Sequence, residues 1–154
     1  MERFFLAALC RAPGVGSRVA ASLVRAFGSA QDAWHARAEA LRAAHLSPER
    51  AAALYDFCRR NEALPEKIAA ACEKGGISLF IPSDEAYPAR LKEIYNQPQA
   101  LFCRGSLDCL KHPAVAMVGA RHASAYGKGA AEDIALGLAE RGFVVVSGAA
   151  RGID

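Results

Sequence analysis

Two glycine-rich stretches near the end of the chain, VGARHASAYG at residues 118–127 and SGAARGID at residues 147–154, decide the fold. Each follows a short apolar run, at residues 114–118 and at residues 143–146. Short apolar runs that end in glycine are typical of buried strands. The segment between them has apolar residues at helical spacing, and Gly142 supplies a stop for that helix. The sequence therefore predicts a strand–helix–strand unit with two parallel strands.

The two loops are predicted to hold a phosphate group. Both follow the carboxyl ends of neighbouring parallel strands, where open α/β sheets bind ligands. The expected donors are the backbone N–H groups near Gly119 and Gly148, the hydroxyl groups of Ser124 and Ser147, and the guanidinium group of Arg121. Arginine suits this role because its planar fork matches two phosphate oxygens.

Alternatives to this interpretation remain open. Arg121 could instead form a structural ion pair with Asp154 or Glu85, and Arg151 is a second candidate cation. The loops match neither the dinucleotide fingerprint G-x-G-x-x-G nor the P-loop pattern. Neither loop carries a nucleophile–base pair, so no catalytic residue is predicted. An enzyme acting on a nucleotide-like small molecule would need a general base beside the loops, and only Asp154 is placed for that.

Composition narrows the class of protein. The net charge is +3, and residues 1–64 hold nine arginines against six acidic residues, which is consistent with a polyanionic partner. The five cysteines form no C-x-x-C pair and no zinc spacing, so we expect buried or partly buried free thiols and no bound metal or cofactor. The apolar stretch at residues 4–10 is too short for a signal peptide or a membrane span. The sequence thus predicts a soluble protein of a reducing cytosol.

The sequence predicts helices throughout the first 74 residues. Ser47, Pro48 and Glu49 place a cap, a first-turn proline and a first-turn acid in order, and Trp34 is expected in the core. Short strands are predicted at 77–81 and 100–103. We predict two domains, a helical one over residues 1–64 and a parallel-sheet one over residues 65–154.

A second candidate DNA surface lies near the N-terminus. The run LCRAPGVGSRVA at residues 9–20 resembles a helix–hairpin–helix, whose turn exposes backbone N–H groups at the start of its second helix. Such amides bind nucleic-acid phosphate without reading sequence. The candidate residues are Gly14, Gly16, Ser17 and Arg18. The alternative is a tight turn that needs glycine only for steric reasons.

The order of motifs in the second half resembles the DNA-processing protein A family, also called DprA or Smf. The residues that carry the resemblance run from about Asp84 to the end of the chain: YPxxLxxI from Tyr87, the Gln97–Pro98 break, LFxxG from Leu101, VGAR from Val118, Tyr126–Gly127, and SGxARGID from Ser147. The helical N-terminus is similar, more loosely, to the sterile-alpha-motif-like (SAM-like) domain of that family. The resemblance implies a helical SAM-like, helix–hairpin–helix domain followed by the first part of a Rossmann-like parallel-sheet domain.

The resemblance also implies a function. It implies a cytoplasmic protein, not an enzyme, that binds single-stranded DNA, protects it during natural transformation (competence) and helps to load RecA. The implied DNA-binding residues are Gly119, Ala120, Arg121, Ser124, Ser147, Gly148, Arg151 and Gly152. Ala120 replaces the usual serine and Ala149 the usual leucine. His122 and Tyr126 are candidate stacking partners for bases.

The family's sheet domain continues beyond the position of Asp154. The sequence therefore resembles the N-terminal portion of a longer protein, whose remainder would carry a further basic residue, the dimer interface and the RecA-binding surface. Three hypotheses follow: a single-stranded DNA-binding module, a Rossmann-like enzyme or sensor for a nucleotide-derived small molecule, and a fragment without function.

Overall fold

The computed structural model of this protein describes residues 1–44 and 46–154. The described residues form two compact units, Met1–Gly105 and Ser106–Asp154, which are treated separately below. Helices and strands both occur, so the predicted α/β class is confirmed. None of the helices in the described part of the chain has both the length and the apolar composition needed to cross a bilayer.

The first unit is mainly helical. Its helices are α1 (Glu2–Leu9), α2 (Ser17–Phe27), α3 (Ala30–His35), α4 (Ala38–Ala43), α5 (Pro48–Arg60), α6 (Leu64–Gly75) and α7 (Ala89–Lys92). Two antiparallel strands, β1 (Ile77–Phe80) and β2 (Leu101–Arg104), pair with Ile77 opposite Arg104.

Local sequence signals explain several of these boundaries. The Ser47 hydroxyl accepts a hydrogen bond from the Arg50 N–H at the start of α5, and Pro48 occupies the first turn, both as predicted. Gly76 ends α6 in the left-handed region, at φ +59°, where glycine carries no steric penalty. The carboxylate of Glu2 accepts from the N–H groups of Ala30 and Gln31, so an acidic side chain of α1 satisfies the free amides that begin α3.

The core lies entirely in the first unit. Its largest fully buried side chains are Leu9, Leu23, Leu41, Leu54 and Pro65. Burial of one leucine side chain contributes about 1.5–3 kcal/mol. Trp34 is 3% exposed and packs edge-on against Phe5 and Phe57, which confirms its predicted core position.

The two units divide between Gly105 and Ser106, later in the chain than the domain boundary that the sequence predicts between residues 64 and 65. The reason is packing: Ile68 and Cys72 of α6 and Leu79 of β1 belong to the same buried cluster as α1. The Arg3 guanidinium also donates to the Leu79 carbonyl at 2.7 Å and forms an ion pair with Asp84 at 3.2 Å. Residues 65–105 thus complete the helical core. The boundary of an independently folding domain remains a prediction.

The second unit contains one turn of 3₁₀ helix (Asp108–Lys111), strand β3 (Ala114–Ala116), helix α8 (Ala125–Glu140) and strand β4 (Val144–Val146). The strands pair in parallel, with Ala114 opposite Val144, so the predicted strand–helix–strand unit is confirmed. Gly142 has φ +81° and donates to the Ala139 carbonyl at 2.9 Å, which ends α8 as predicted. The further strands of a Rossmann-like sheet remain a prediction.

No side chain of the second unit, all of whose residues are described, belongs to the buried core. Val118 is 78% exposed, Ile134 58% and Leu136 61%. Ile134 is one of the apolar residues at helical spacing in the segment that forms α8, and it is exposed in this structure. The prediction that every cysteine is at least partly buried is wrong for Cys109, which is exposed in the same unit.

Candidate nucleic-acid interface

The two glycine-rich loops follow the carboxyl ends of β3 and β4. Because these strands are parallel and adjacent, residues 117–124 and 147–154 begin at the same edge of the sheet. The Met117 N–H still donates to the Val146 carbonyl, at 2.8 Å, so the strands separate only beyond this point. The predicted meeting of the two loops at one edge is therefore observed.

Glycine lets the two loops touch. The Ile153 N–H donates to the Ala120 carbonyl at 3.3 Å. A Cβ atom at Gly119 would lie 2.6 Å from Cβ of Ile153, and one at Gly152 would lie 2.7 Å from Cα of Arg121 and overlap the Ala120 carbonyl oxygen. Gly152 also has φ +107°, which other residues rarely adopt. Both glycines are thus needed for the close packing that positions Arg121.

The Asp154 carboxylate lies beside both glycines whose amide groups were expected to bind phosphate. The Gly119 N–H donates to Oδ1 of Asp154 at 2.9 Å, and a Cβ atom at Gly148 would lie 3.2 Å from Oδ2. In this arrangement the anion beside both glycines is a carboxylate of the chain itself. The Asp154 carboxylate therefore fixes the loop ends, and no ion pair joins it to Arg121 in the part of the chain that the structure describes.

A cleft of about 710 Å³ opens beside the loops. We call it the Arg121 cleft, and its lining residues are Arg121, His122, Ala123, Ser124, Lys128, Arg151 and Gly152. Three of these side chains are cationic and none is acidic. All three cations are exposed, so they are available to a ligand from solution. A cleft lined by charges of one sign concentrates ions of the other sign.

Ser124 joins the cleft to helix α8. Its hydroxyl oxygen accepts from the Gly127 N–H at 3.1 Å, as an N-cap does. A hydroxyl group also has a hydrogen to donate, which leaves Ser124 able to bind a phosphate oxygen. The start of an α-helix carries a partial positive charge, which adds to the potential of the three cations.

The predicted site residues fall into two groups. Arg121, Ser124, Arg151 and Gly152 line the cleft. The others lie outside the lining and shape the loops: Gly119 and Ala120 through the contacts with residues 153–154, Gly148 beside Asp154, and Ser147 by accepting from the Ala149 N–H at 3.2 Å.

The sequence analysis did not single out Lys128, which lines the cleft. The signal that could have found it is its position four residues after the Ser124 cap, since residues four apart on a helix lie on one face. His122 lines the cleft, whereas Tyr126, 85% exposed, lies outside the lining.

The candidate surface in the helical unit has a different geometry from the one expected. Gly14 makes the turn at φ +74°, and Gly16 precedes α2 without a side-chain cap. The Arg18 guanidinium, however, points to another part of the same unit, where its Nη1 lies 2.6 Å from the hydroxyl oxygen of Tyr95. Ser17 and Arg18 line a second cleft in the helical unit, and Gly14 and Gly16 do not.

Comparison with known proteins gives the family. The sequence profile described as DNA recombination-mediator protein A matches residues 78–154, which is half of the chain and includes both glycine-rich loops. The chain belongs to this family. The resemblance inferred from the loop motifs is thereby confirmed.

Relatives and a solved structure agree with this assignment. The chain is similar to the DNA processing protein DprA of Streptococcus pneumoniae, with 49% identity over 46% of this chain and 25% of the relative. It is also similar to the protein Smf of Synechocystis, with 29% identity over 99% of this chain and 39% of the relative. The X-ray structure of DprA from S. pneumoniae superposes on all of this chain and 51% of its own, with a TM-score of 0.72 and 28% identity. The aligned parts of this chain therefore cover between a quarter and two fifths of these two curated relatives.

Proposed function

We propose that this chain binds single-stranded DNA in the Arg121 cleft, as a DNA-processing protein acting in natural transformation. The observation that carries the proposal is the convergence of Arg121, Lys128 and Arg151 on one open cleft whose lining contains no acidic side chain. Phosphate contacts dominate binding that does not depend on base sequence. Membership of a recombination-mediator family supports DNA as the polyanion.

A single strand is favoured over a duplex by the surroundings of the cleft. His122 belongs to the lining, and the Tyr126 ring is almost fully exposed close by in the sequence. Unpaired bases can stack on exposed aromatic rings, whereas bases inside a duplex cannot. Gly119, Ala120, Ser147 and Gly148 contribute to the proposed site by fixing the loops that carry the cations.

The family supports a wider role for the full-length protein. We propose that the bound strand is protected and passed to RecA, that the full-length protein forms a homodimer, and that this takes place in the cytoplasm. The competing hypothesis of an enzyme or sensor for a nucleotide-derived small molecule takes Asp154 as its candidate general base. Asp154, the residue considered for that role, is held by the Gly119 N–H outside the lining.

Fluorescence anisotropy of a labelled oligo-dT strand tests the proposed site. We expect Arg121→Ala to weaken binding about 10- to 100-fold, because a hydrogen bond to a charged group contributes roughly 1.5–3 kcal/mol. The matched control is Arg141→Ala, which removes the same charge from the other end of α8, where the Arg141 side chain donates to the Gly137 carbonyl. Equal affinities of the two variants would contradict the proposed site.

A circular-dichroism spectrum of each variant belongs to the same experiment. Arg121 is exposed and takes part in no ion pair among the described residues, so its truncation should leave the helical signal unchanged. A folded wild-type chain that fails to bind at low salt would refute the proposal for this chain.

A further inference from the structure

The second cleft, which lies beside α2 in the helical unit, has the composition of a binding site. It has a volume of about 670 Å³ and is bordered by α2, by the start of α5 and by residues 94–99. Arg18, Arg25 and Arg50 all line it, and none of its lining residues is acidic. We call it the α2 cleft. Three guanidinium groups with no carboxylate among them favour an anionic ligand.

The α2 cleft also presents an aromatic ring. Tyr95 is 80% exposed, and the Arg18 guanidinium carbon lies 5.1 Å from the centre of its ring. The Arg18 Nη1 to Tyr95 Oη hydrogen bond, at 2.6 Å, holds the ring in place. Tyr95 buries little of its own surface, so this arrangement adds little to the core. An exposed aromatic ring offers a surface on which a base can stack.

The segment that carries Tyr95 is anchored to the core. The ring of Tyr87 is only 2% exposed, and its hydroxyl donates to the Pro98 carbonyl at 2.8 Å. The Gln99 side-chain amide donates to the Gln97 carbonyl at 3.1 Å, which further orders this stretch at the rim of the cleft. Tyr95 is therefore presented by a braced segment, which lowers the entropy lost when a ligand binds.

The first turn of α2 adds positive potential to the same cleft. Ser17, the first residue of α2, lines the cleft, and the preceding Gly16 supplies no side-chain cap. The first turn contains no acidic residue. The N-terminal amides and the helix dipole thus reinforce the three arginines.

We propose that the α2 cleft binds a nucleoside phosphate group, with the base stacked on Tyr95 and the phosphate held by Arg18, Arg25 and Arg50. The group belongs either to a nucleic-acid strand or to a free nucleotide. This site differs from the glycine turn expected from the sequence, because the ring and two of its three arginines come from outside that turn. It stands independently of the function proposed for the Arg121 cleft.

The test uses the full chain and the variants Tyr95→Ala and Arg50→Ala. We expect each to weaken binding of oligo-dT about 10-fold, both in the wild-type chain and in an Arg121→Ala background. Tyr95→Phe keeps the aromatic ring, so its loss of affinity for oligo-dT should be at most half of the loss that Tyr95→Ala shows. The control for charge is Arg60→Ala, an exposed residue at the other end of α5 that pairs with Asp56 at 3.5 Å.

A photocrosslink locates the base directly. Oligo-dT that carries 5-iodouracil should crosslink to Tyr95 on irradiation, and the crosslinked peptide is identified by mass spectrometry. Titration with thymidine monophosphate separates the two sources of the ligand. Binding of the mononucleotide that depends on Tyr95 indicates a nucleotide site. Binding that depends on Tyr95 for the strand and is not seen with the mononucleotide indicates a strand site. Both results support the α2 cleft.

The two proposals fail in different ways. Wild-type affinity for both ligands in Tyr95→Ala and Arg50→Ala, together with no crosslink at Tyr95, would overturn the α2 cleft, whatever Arg121→Ala does. Binding that is lost in Tyr95→Ala and unchanged in Arg121→Ala would overturn the Arg121 cleft and leave the α2 cleft standing.

Discussion

Replacement of Gly152 by alanine should separate the two loops that form the Arg121 cleft. The new Cβ atom would overlap the Ala120 carbonyl oxygen and lie 2.7 Å from Cα of Arg121, a distance that real Cβ atoms essentially never show. Both neighbours are backbone atoms, so no side-chain rotation relieves the overlap. The φ of +107° adds strain of about 1–3 kcal/mol for any residue with a Cβ atom.

The separation of the loops has a predictable effect on binding. The Ile153 N–H to Ala120 carbonyl bond lies at the point of overlap and should break. Arg121 and Arg151, one on each loop, would then no longer face the same ligand. We expect Gly152→Ala to weaken oligo-dT binding by at least the roughly 10-fold that the loss of one charged hydrogen bond causes.

The assay is anisotropy, with hydrogen exchange as a structural readout. The amide of Ile153 should exchange faster in Gly152→Ala, while the core helices of the first unit keep their protection, since none of their contacts changes. Gly129→Ala is the matched control, because its Cβ atom meets nothing within 4 Å and the residue lies within α8. Wild-type affinity and unchanged exchange at Ile153 in Gly152→Ala would refute the role assigned to the loop contact.

Two further predictions concern the Ser124 hydroxyl and the Cys58 thiol. Ser124→Ala should destabilise the start of α8 by about 1 kcal/mol and weaken oligo-dT binding about 3-fold. The control variant Ser29→Ala removes a comparable cap from α3 and should leave the affinity for oligo-dT unchanged. Equal affinities of the two variants would argue against a phosphate contact from Ser124. Burial raises the pKa of the Cys58 thiol from its ordinary 9.0 to about 12, so the folded state holds this proton more tightly than the unfolded state. The stabilisation is complete below pH 9 and is lost between pH 9 and 12, at about 1.4 kcal/mol per pH unit. Urea titrations of the wild type and of Cys58→Ala should therefore converge as the pH rises, and a constant difference across that range would contradict the buried thiol.

The strand–helix–strand unit could be predicted because its signals are local. Apolar runs end at glycine, and Gly142 takes the left-handed conformation that stops α8. The helix caps at Ser47 and Gly76 could be predicted for the same reason. Such features depend on neighbours in sequence and not on the rest of the fold.

The extent of the first unit could not be predicted, because it depends on contacts between distant residues. Arg3 forms hydrogen bonds with Leu79 and Asp84, which lie more than 70 positions away in the sequence. No local sequence pattern predicts these contacts. The partner of Arg18 is likewise Tyr95, 77 positions away. The helix–hairpin–helix pattern predicts Arg18 at the start of a helix, where the structure has it, and does not predict its contact with Tyr95.

The residues of the candidate site also divide into those that local sequence signals predict and those whose place depends on the rest of the fold. Arg121, Ser124 and Arg151 could be named because each lies in a glycine-rich loop at a strand end. Lys128 belongs to the helix that follows, and its place in the cleft depends on where α8 begins. The capture of the Gly119 N–H by Asp154 requires the two loops to meet, a tertiary contact that neither loop reveals alone.

The salt dependence of oligo-dT binding tests the central claim most directly. Each phosphate contact on a single strand contributes about −0.7 to the slope of log K against log salt concentration. The triple variant Arg121→Ala, Lys128→Ala, Arg151→Ala should therefore give a slope shallower than that of the wild type by about 2. Arg141→Ala combined with Lys111→Ala removes charge from the same unit outside the cleft and should keep the wild-type slope. An unchanged slope in the triple variant would contradict the account.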